Sequence, residues 1–231
     1  MIIGISGKIG SGKDSVGRII QYLMLDENTT KYFVKDWINK EHYLLDTHSN
    51  WEIKKFAGKL KQIASILTGA TLDQLEDQDF KKLDIGPDWE MTYRELLQKL
   101  GTEAMRNGLH ENVWVNALMA DYTLSSVTLD DYGNSLQNVY PNWVITDMRF
   151  PNEMDVVKAK GGITIRVNRK GFPITHSKTG ETHLLSREAF TEHPSETAID
   201  NHKFDYVIDN DGSISDLIDK VKEILTLNNI I

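Results

Sequence analysis

The sequence predicts an α/β fold with a mostly parallel sheet, on three observations. Four short apolar runs, at residues 2–6, 143–146, 163–167 and 206–208, are typical of buried strands because they are continuous rather than alternating. Apolar residues at helical spacing lie between these runs. A glycine-rich segment connects the first run to the first helical pattern. Strands that alternate with helices in this way indicate a parallel sheet with helices packed on it.

The composition fits one ordinary globular domain. The 231 residues carry 26 basic and 34 acidic side chains, for a formal net charge of −8, and include no cysteine. The lack of cysteine excludes a disulfide scaffold, a thiolate zinc site and a cysteine nucleophile. The acidic balance argues against a nucleic-acid polymer or an anionic membrane surface as partner. No apolar stretch approaches the roughly 20 residues of a membrane-spanning helix, and no signal-peptide pattern precedes the first run. We therefore expect a cytoplasmic protein.

The remaining elements are predicted from apolar spacing and turn residues. A lysine-rich helix is expected to begin near Lys54, and residues 70–106 are expected to form a helical insert. Residues 125–142 are expected to be an exposed loop and 171–201 an irregular segment. The last helix is expected to be capped by Ser213 or Asp211. The apolar positions that predict the helices are Val16, Ile19, Ile20 and Leu23, then Ile63, Ile66 and Leu67, then Leu96, Leu97 and Leu100, then Val113, Val115, Leu118 and Met119, then Met154, Val156 and Val157, and lastly Ile214, Leu217, Ile218, Val221 and Leu225.

A phosphate-binding loop is the strongest local signal. Residues 7–15 match the pattern G-x-x-x-x-G-K, directly after the first strand and directly before the first helix. Gly10, Ser11 and Gly12 allow backbone N–H groups to point at an anion, and the helix adds its positive N-terminal end. Lys13 can then reach the outer phosphates as a movable charge. The alternative is a glycine-rich turn without a ligand, which the flanking strand and helix disfavour.

One position of this loop departs from the general pattern. Asp14 stands where a serine or threonine usually offers its hydroxyl to Mg²⁺, and Ser15 follows it. Either the carboxylate of Asp14 holds hydrated Mg²⁺, or Ser15 takes over this role, or the metal is bound weakly. The sequence leaves these three interpretations open.

The second apolar run ends in charged residues. Asp147 follows it directly, with Arg149 and Glu153 shortly after. Because ligands of parallel sheets sit at the carboxyl ends of strands, Asp147 is placed to orient Mg²⁺-bound water or the acceptor substrate. Arg149 can bind a phosphate with two parallel hydrogen bonds. The alternative is structural, with Asp147 capping the next helix and Arg149 paired with Glu153.

Several polar side chains are candidates for binding a second substrate. Arg94, Gln98, Thr102 and Arg106 recur every four residues, and we expect them to form one polar stripe on a helix. Trp114 can stack on a base or fill the core. A cluster of lysines is either a solvated helix face or a site for an anion, and its members are Lys54, Lys55, Lys59 and Lys61.

The last third of the chain adds three candidates. Arg166 ends a strand and Arg187 follows in the irregular segment, where arginine can stabilise charge on a transferred phosphoryl group. Asn210 lies in a turn between the last strand and the last helix, and it can also contact a nucleotide base. The histidines of this region do not have the spacing of a metal site.

Together these motifs resemble the deoxynucleoside monophosphate kinases of tailed bacteriophages, within the P-loop nucleoside-monophosphate kinase superfamily. The resemblance implies one domain over 1–231, with a P-loop kinase-type parallel sheet flanked by helices. It also implies a helical monophosphate-binding insert at approximately 54–120 and a lid at approximately 170–202. The Lys-Asp-Ser ending of the loop is similar to that family. The stretches that carry the resemblance are residues 7–15, 56–61, 97–106, 144–153, 193–196 and 204–212.

The resemblance further implies transfer of the γ-phosphate of ATP to a deoxynucleoside monophosphate, with Mg²⁺. The expected partner is this small molecule, in the cytoplasm of an infected host if the chain is phage-encoded, and a homodimer is left open. The expected catalytic residues are Lys13, Asp147, Arg149 and Arg166. The residues expected to hold ATP and metal are Gly10, Ser11, Gly12, Lys13, Asp14, Ser15, Asp147 and Asn210. The residues expected to contact the acceptor are Lys59, Arg94, Gln98, Thr102, Arg106, Trp114, Arg149, Glu153 and Arg187.

Two alternatives stay open from the sequence. A dephospho-coenzyme A kinase, or another small-molecule kinase, shares the loop and a similar strand–turn–helix ending. A regulatory ATP-binding module, in which Asp14 weakens catalysis, is the second. A GTPase is disfavoured, because no Asn-Lys-x-Asp run occurs in the chain.

Overall fold

The computed structural model describes residues 1–25, 42–129, 135–170, 172–175, 182–185 and 197–231. These residues divide into two compact units. The first consists of Met1–Lys54 and Leu124–Ile231, and the second is Lys55–Thr123. Across the described ranges, no helix combines the length and the apolar character needed to cross a membrane.

Strands and helices alternate through much of the first unit, while the second is helical. In chain order, the strands are β1 (Ile2–Ser6), β2 (Trp51–Lys54), β3 (Ser126–Leu129), β4 (Ser135–Val139), β5 (Asn142–Ile145), β6 (Ile163–Asn168), β7 (Phe172–Thr175), β8 (Thr182–Leu185) and β9 (Tyr206–Asp209). The α-helices are α1 (Lys13–Leu23), α2 (His42–His48), α3 (Gly58–Thr68), α4 (Leu72–Glu76), α5 (Tyr93–Gln98), α6 (Val113–Met119), α7 (Pro151–Ala159) and α8 (Ile214–Leu227). A 3₁₀ turn (Phe80–Lys82) precedes α5, and a π-helical segment (Lys99–Asn107) follows it.

A five-stranded parallel sheet forms the centre of the first unit. Its strand order is β2-β5-β1-β6-β9, and every neighbouring pair is parallel. The predicted α/β fold class is therefore confirmed, and the four predicted strands correspond to β1, β5, β6 and β9. Because β1 is the middle strand, the loop that follows it emerges between the carboxyl ends of β5 and β6.

Both faces of the sheet are covered, which explains why β1 is buried along its whole length. Ile3 and Ile5 belong to one apolar cluster with residues of α1 and α8. Gly4 faces the other side, where a Cβ would lie 3.0 Å from the Sδ of Met148 and 3.1 Å from Val157 of α7. The small residue therefore allows α7 to pack closely on the central strand. α8 begins at the predicted cap, Ser213, whose hydroxyl accepts a hydrogen bond from a backbone N–H of the first turn.

The second unit is built from short helices around a small core. Ala64, Ala70, Leu75 and Leu96 form one cluster of its buried apolar residues. Two of its helices, α4 and α5, begin with capping boxes, in which a threonine and a residue three positions later each bind the other's backbone N–H. Short helices of this kind rely on their caps and on packing, since they are too short to be stable alone.

The predicted helix that begins near Lys54 is wrong in its first turn. Trp51–Lys54 is the edge strand β2, and the helix α3 begins only at Gly58. Trp51 is buried while Glu52 is exposed, which is the alternation of a strand with one covered face. Lys54 therefore belongs to the sheet, and Lys55 lies between β2 and α3, so neither shares a helix face with Lys59.

Two segments expected to lack regular structure contain hairpins. β3 and β4 pair in antiparallel fashion within residues 125–142, and β7 pairs with β8 within 171–201. The expectation of a simple loop is therefore wrong for these strands, because turn residues between two short strands look the same as turn residues in a loop. Most of the predicted lid, including Arg187 and the stretch 193–196, lies outside the described residues.

Candidate functional site

The glycine-rich loop has the conformation of an anion-binding turn. Gly10 and Gly12 adopt left-handed φ angles of 73° and 94°. The N–H of Ser11 donates to the carbonyl of Lys8 at 3.1 Å, which curls the backbone. α1 starts at Lys13, and its N-cap residue Gly12 offers no side-chain hydrogen bond to the first turn. The backbone N–H groups of the first turn therefore receive no hydrogen bond from a side chain at position 12, an arrangement that suits an anion.

Lys13 extends back over the loop. Its Nζ lies 3.4 Å from the carbonyl oxygen of Lys8, and the residue is partly buried. A cation in the first turn of a helix is unfavourable, because the helix dipole is positive there. Asp14 in the same turn offsets part of this charge. An anion bound in front of the helix would be attracted by both Lys13 and the helix end, which makes this position of Lys13 favourable.

A hydroxyl from the neighbouring strand orients Asp14. Thr146, the first residue after β5, is buried, and its Oγ1 donates to the Oδ1 of Asp14 at 2.8 Å. Ser15 is one residue further along α1. Asp14, Ser15 and Asp147 all offer oxygen atoms, the type of ligand that Mg²⁺ prefers. Within the described ranges, no group of three histidine or acidic side chains is arranged to hold a metal.

The segment after β5 runs beside the central strand. Met148 N–H donates to the carbonyl of Ile5 at 3.1 Å, which places Asp147 next to the end of β1. Glu153 is buried, and its Oε2 accepts hydrogen bonds from the N–H groups of Arg149 at 2.7 Å and of Phe150 at 3.1 Å. Glu153 therefore caps α7, a role that the structural alternative had given to Asp147.

An ion cluster that the sequence did not predict lies beside the loop. The carboxylate of Asp200 bonds Lys8 of the loop, and its Oδ1 accepts from Arg166 at 2.6 Å. Arg166 also donates to the hydroxyl of Ser6 at 3.1 Å, and its guanidinium lies 5.6 Å from the ring centroid of Phe204. Burial alone would raise the pKa of Asp200, but the hydrogen bonds and charges of Lys8 and Arg166 outweigh it and hold the pKa below its usual value. Arg166 thus fastens residues 200–204 to the loop.

Because the pKa of Asp200 is lowered in the folded protein, its ionised form stabilises the fold. We expect Asp200→Asn to lower the free energy of unfolding by about 1 kcal/mol near neutral pH, since the group is partly exposed. The difference should persist down to the ordinary pKa of 3.8 and then shrink as the pH falls through the lowered pKa, where the wild-type group also loses its charge. Urea unfolding from neutral to acid pH measures the loss of stability and its dependence on pH.

The matched control for this prediction is Asp155→Asn, an exposed acidic residue on α7. The control should leave the free energy of unfolding unchanged at every pH. Two results would contradict the stabilising role of the Asp200 carboxylate. One is an equal free energy of unfolding for wild type and Asp200→Asn near neutral pH. The other is a difference between them that grows as the pH falls.

Lysines of the second unit are neutralised by its own carboxylates. Lys55 and Lys61 both bond Glu76, at 3.0 Å and 2.5 Å, and Lys59 bonds Asp121 at 3.0 Å. Burial would raise the pKa of Glu76, but the charges of Lys61 and Lys55 more than offset this and lower it. These lysines are therefore paired with carboxylates of the same unit, which reduces the repulsion between their like charges.

The residues of the predicted polar stripe lie on two consecutive helical segments. α5 ends at Gln98, and the following turns are π-helical, with hydrogen bonds to the fifth residue rather than the fourth. Arg94 donates to the side chain of Gln78 at 3.0 Å, whereas Arg106 is buried and donates to the carbonyl of Glu111 at 3.3 Å. Thr102 lies between them, partly buried. The expected α-helix thus ends at Gln98, and Arg106, the last residue of the stripe, is buried.

Trp114 is a core residue of the second unit. It is only 4% exposed, and its indole Nε1 donates to the carbonyl of Gly101 at 2.8 Å. That hydrogen bond joins α6 to the π-helical segment. The geometry favours the core interpretation over stacking on a base.

We expect Trp114→Phe to lower the free energy of unfolding by about 1–3 kcal/mol, because it leaves the Gly101 carbonyl without its buried donor. Chemical denaturation measures the effect, with Trp89→Phe as the control, since Trp89 is only partly buried. Unchanged stability together with weaker binding of a nucleoside monophosphate would support base stacking instead.

The first unit brings together most of the predicted site residues. Lys13, Asp14, Ser15, Asp147 and Arg166 all lie at or near the carboxyl ends of β1, β5 and β6. Asn210 contacts the loop itself, because its Nδ2 donates to the carbonyl of Ser11 at 2.9 Å. The second unit carries the predicted acceptor residues, which are Lys59, Arg94, Gln98, Thr102, Arg106 and Trp114. The contributors that sequence analysis missed are Ser6, Lys8, Thr146 and Asp200.

Comparison with known proteins finds similar chains in two phages and in a mimivirus. The chain is 30% identical to the deoxynucleotide monophosphate kinase of Enterobacteria phage T4 over 136 residues, which are 59% of this chain and 46% of the relative. It is 28% identical to the enzyme of the same name from Escherichia phage RB69, over 62% of this chain and 47% of the relative. A putative deoxynucleotide monophosphate kinase of Acanthamoeba polyphaga mimivirus is 28% identical over 64% of this chain and 76% of the relative. The chain spans about half the length of the two phage relatives.

The family model of deoxynucleotide monophosphate kinases matches residues 61–221, more than half of the chain. This match begins after the phosphate loop, so the loop and the family match are independent observations. Both point to the same kind of protein, and the parallel sheet with its loop after the central strand agrees with them. The chain therefore belongs to the deoxynucleotide monophosphate kinase family.

Proposed function

We propose that the chain transfers the γ-phosphate of ATP to a deoxynucleoside monophosphate, giving ADP and the deoxynucleoside diphosphate. The observation that carries the proposal is the phosphate loop at the end of the central strand, with Lys13 extended over it. An oxygen of the acceptor's phosphate forms a bond to the γ-phosphorus, and the bond from the γ-phosphorus to the oxygen bridging to the β-phosphate breaks. Such a transfer needs no covalent intermediate with the protein.

In this proposal, residues of the first unit position and neutralise charge. The left-handed glycines and the N-terminus of α1 bind the phosphates of ATP, and Lys13 neutralises the charge on the outer ones. Arg149 binds phosphate near the reacting centre, and Arg166 keeps the segment around Asp200 beside the loop.

The oxygen atoms of Asp14, Ser15 and Asp147 suit Mg²⁺, and the hydrogen bond from Thr146 fixes the direction of the Asp14 carboxylate. These three residues would hold the ion together with the phosphates. Bound there, Mg²⁺ supplies positive charge for the phosphoryl group in transfer.

We further propose that the second unit binds the deoxynucleoside monophosphate. Its lysines, arginines and amide side chains supply charge for a phosphate and donors and acceptors for a base, and Lys59 and Gln98 are the main candidates. Trp114 and Arg106 support these residues from the core, because both are buried and bond backbone carbonyls.

The experiment is a panel of acceptors with ATP and Mg²⁺, read by release of ADP. The panel contains the four common deoxynucleoside monophosphates, their ribose counterparts and dephospho-coenzyme A, with a reaction lacking acceptor as the control. ADP release that depends on a deoxynucleoside monophosphate supports the proposal. Release that depends only on dephospho-coenzyme A would replace it with another small-molecule kinase. Binding of ATP without acceptor-dependent ADP release would indicate a regulatory module.

A further inference from the structure

A turn at the far end of the chain is bound to the phosphate loop. Asn210 is the first residue after β9, and its backbone N–H donates to the carbonyl of Asn168 at 2.7 Å, continuing the hydrogen bonds between β9 and β6. The side chain of Asn210 crosses to the loop, where its Nδ2 donates to the carbonyl of Ser11 at 2.9 Å. This contact joins residues 199 positions apart in the chain.

The contact fixes one peptide plane of the loop. The carbonyl of Ser11 and the N–H of Gly12 belong to the same trans peptide and point in opposite directions. When Asn210 holds the carbonyl toward itself, the N–H of Gly12 is turned away from Asn210. A side chain at position 12 would displace Asn210, because a Cβ would lie 2.3 Å from the Nδ2 of Asn210. The amide of Asn210 therefore fills the space beside Gly12 and determines the orientation of a backbone donor.

The turn that presents Asn210 is itself held on both sides. The side chain of Asp211 accepts from the backbone N–H of Lys170 at 2.7 Å. Lys220 of α8 donates to the carbonyl of Asp209 at 2.6 Å. Ser213 then closes the capping box that starts α8. These hydrogen bonds restrict the movement of the turn, so they also restrict the position of the Asn210 amide against the loop.

We propose that Asn210 is a positioning residue that holds the phosphate loop in its anion-binding form, rather than a residue that contacts the nucleotide base. This inference rests on the proposed function only in taking the loop's ligand to be the phosphates of ATP. Asn210 acts through the Ser11–Gly12 peptide, so its loss weakens binding of the polyphosphate. The KM for ATP rises more than kcat falls, because the reacting groups themselves stay in place.

The test compares three variants by two measurements. Asn210→Ala removes the donor, and Asn210→Asp keeps the size of the side chain but replaces the donor with a carboxylate that repels the Ser11 carbonyl. Asn168→Ala is the matched control, because Asn168 donates at 3.3 Å to Asp209 of the same turn. Hydrogen–deuterium exchange follows the loop amides of the ligand-free protein. Calorimetry gives the affinities for ATP and for inorganic tripolyphosphate, which has no base.

We expect faster exchange in the loop and about tenfold weaker binding of both ligands for Asn210→Ala, the usual effect of one lost hydrogen bond. Asn210→Asp should be at least as impaired, and Asn168→Ala should match the wild type. Wild-type exchange and tripolyphosphate affinity in Asn210→Ala would overturn the inference. Weaker ATP binding with unchanged tripolyphosphate binding would also overturn it, because that pattern identifies a contact to the base.

These outcomes are separable from failure of the proposed function. If the wild type binds neither ligand and releases no ADP with any acceptor, the proposed kinase activity fails. The exchange measurement still decides the role of Asn210 in that case, because it needs no ligand. Faster exchange in Asn210→Ala supports the positioning role, and unchanged exchange overturns it.

Discussion

Lys13→Ala should reduce acceptor-dependent release of ADP by about 10²–10³-fold, the usual cost of removing one group that stabilises transition-state charge. Lys13 is the lysine that the G-x-x-x-x-G-K pattern requires, and it reaches over the loop to within 3.4 Å of the Lys8 carbonyl. Without it, the charge of the outer phosphates loses the cation that lies nearest to the start of α1. Steady-state kinetics with ATP, Mg²⁺ and the best acceptor measure the loss.

The same substitution should not unfold the protein. A lysine in the first turn of α1 opposes the helix dipole, so its removal should leave the ligand-free protein as stable, or more stable by about 0.3–1 kcal/mol. The control is Lys82→Ala, whose side chain is 62% exposed and pairs with Asp79 on the surface of the second unit. Turnover by Lys13→Ala that equals the wild type would reject the phosphate-loop assignment. A large fall in its melting temperature would show that Lys13 is structural.

The central strands are predictable from the sequence because apolar residues surround them in the fold. β1, β5, β6 and β9 belong to a sheet with apolar cover, so most of their positions are apolar and the runs stand out. β2 lies at the edge, where Glu52 faces solvent. Its four residues alternate, and two of the lysines that follow it, Lys59 and Lys61, belong to α3. A short alternating strand next to helix-forming residues gives too weak a pattern to show where the strand ends and the helix begins.

The candidate site was predictable only where its residues are neighbours in the chain. The phosphate loop is a local motif, so glycine spacing and Lys13 were enough. The residues that hold the loop come from far away, since Asp200 is 192 positions from Lys8 and Asn210 is 199 from Ser11. No periodicity relates such pairs. The π-helical segment was not predicted for a different reason, because residue spacing does not reveal where an α-helix becomes π-helical.

Gly12→Ala should weaken binding of tripolyphosphate by about 100-fold, from two separate costs. Gly12 has a left-handed φ of 94°, which costs an alanine about 1–2 kcal/mol. The new methyl group would also lie 2.3 Å from the Nδ2 of Asn210, so it breaks the hydrogen bond to Ser11, worth about 1 kcal/mol more. Gly69→Ala is the matched control. Gly69 has a φ of 74° at the end of α3, and a Cβ added there would meet no other atom within 4 Å, so its substitution adds strain without a clash. That control should lose about 1 kcal/mol of stability and no affinity for tripolyphosphate.

Combining Gly12→Ala with Asn210→Ala separates these two costs. Removing the Asn210 amide makes room for the methyl group, so the double variant should bind tripolyphosphate no more weakly than Gly12→Ala alone. The single effects then fail to add, because both substitutions destroy the same hydrogen bond. Calorimetry on the four proteins of this cycle measures the coupling. Strict additivity of the two losses would mean that Asn210 and Gly12 act independently, and the orientation of the Ser11–Gly12 peptide would then be set by the loop alone.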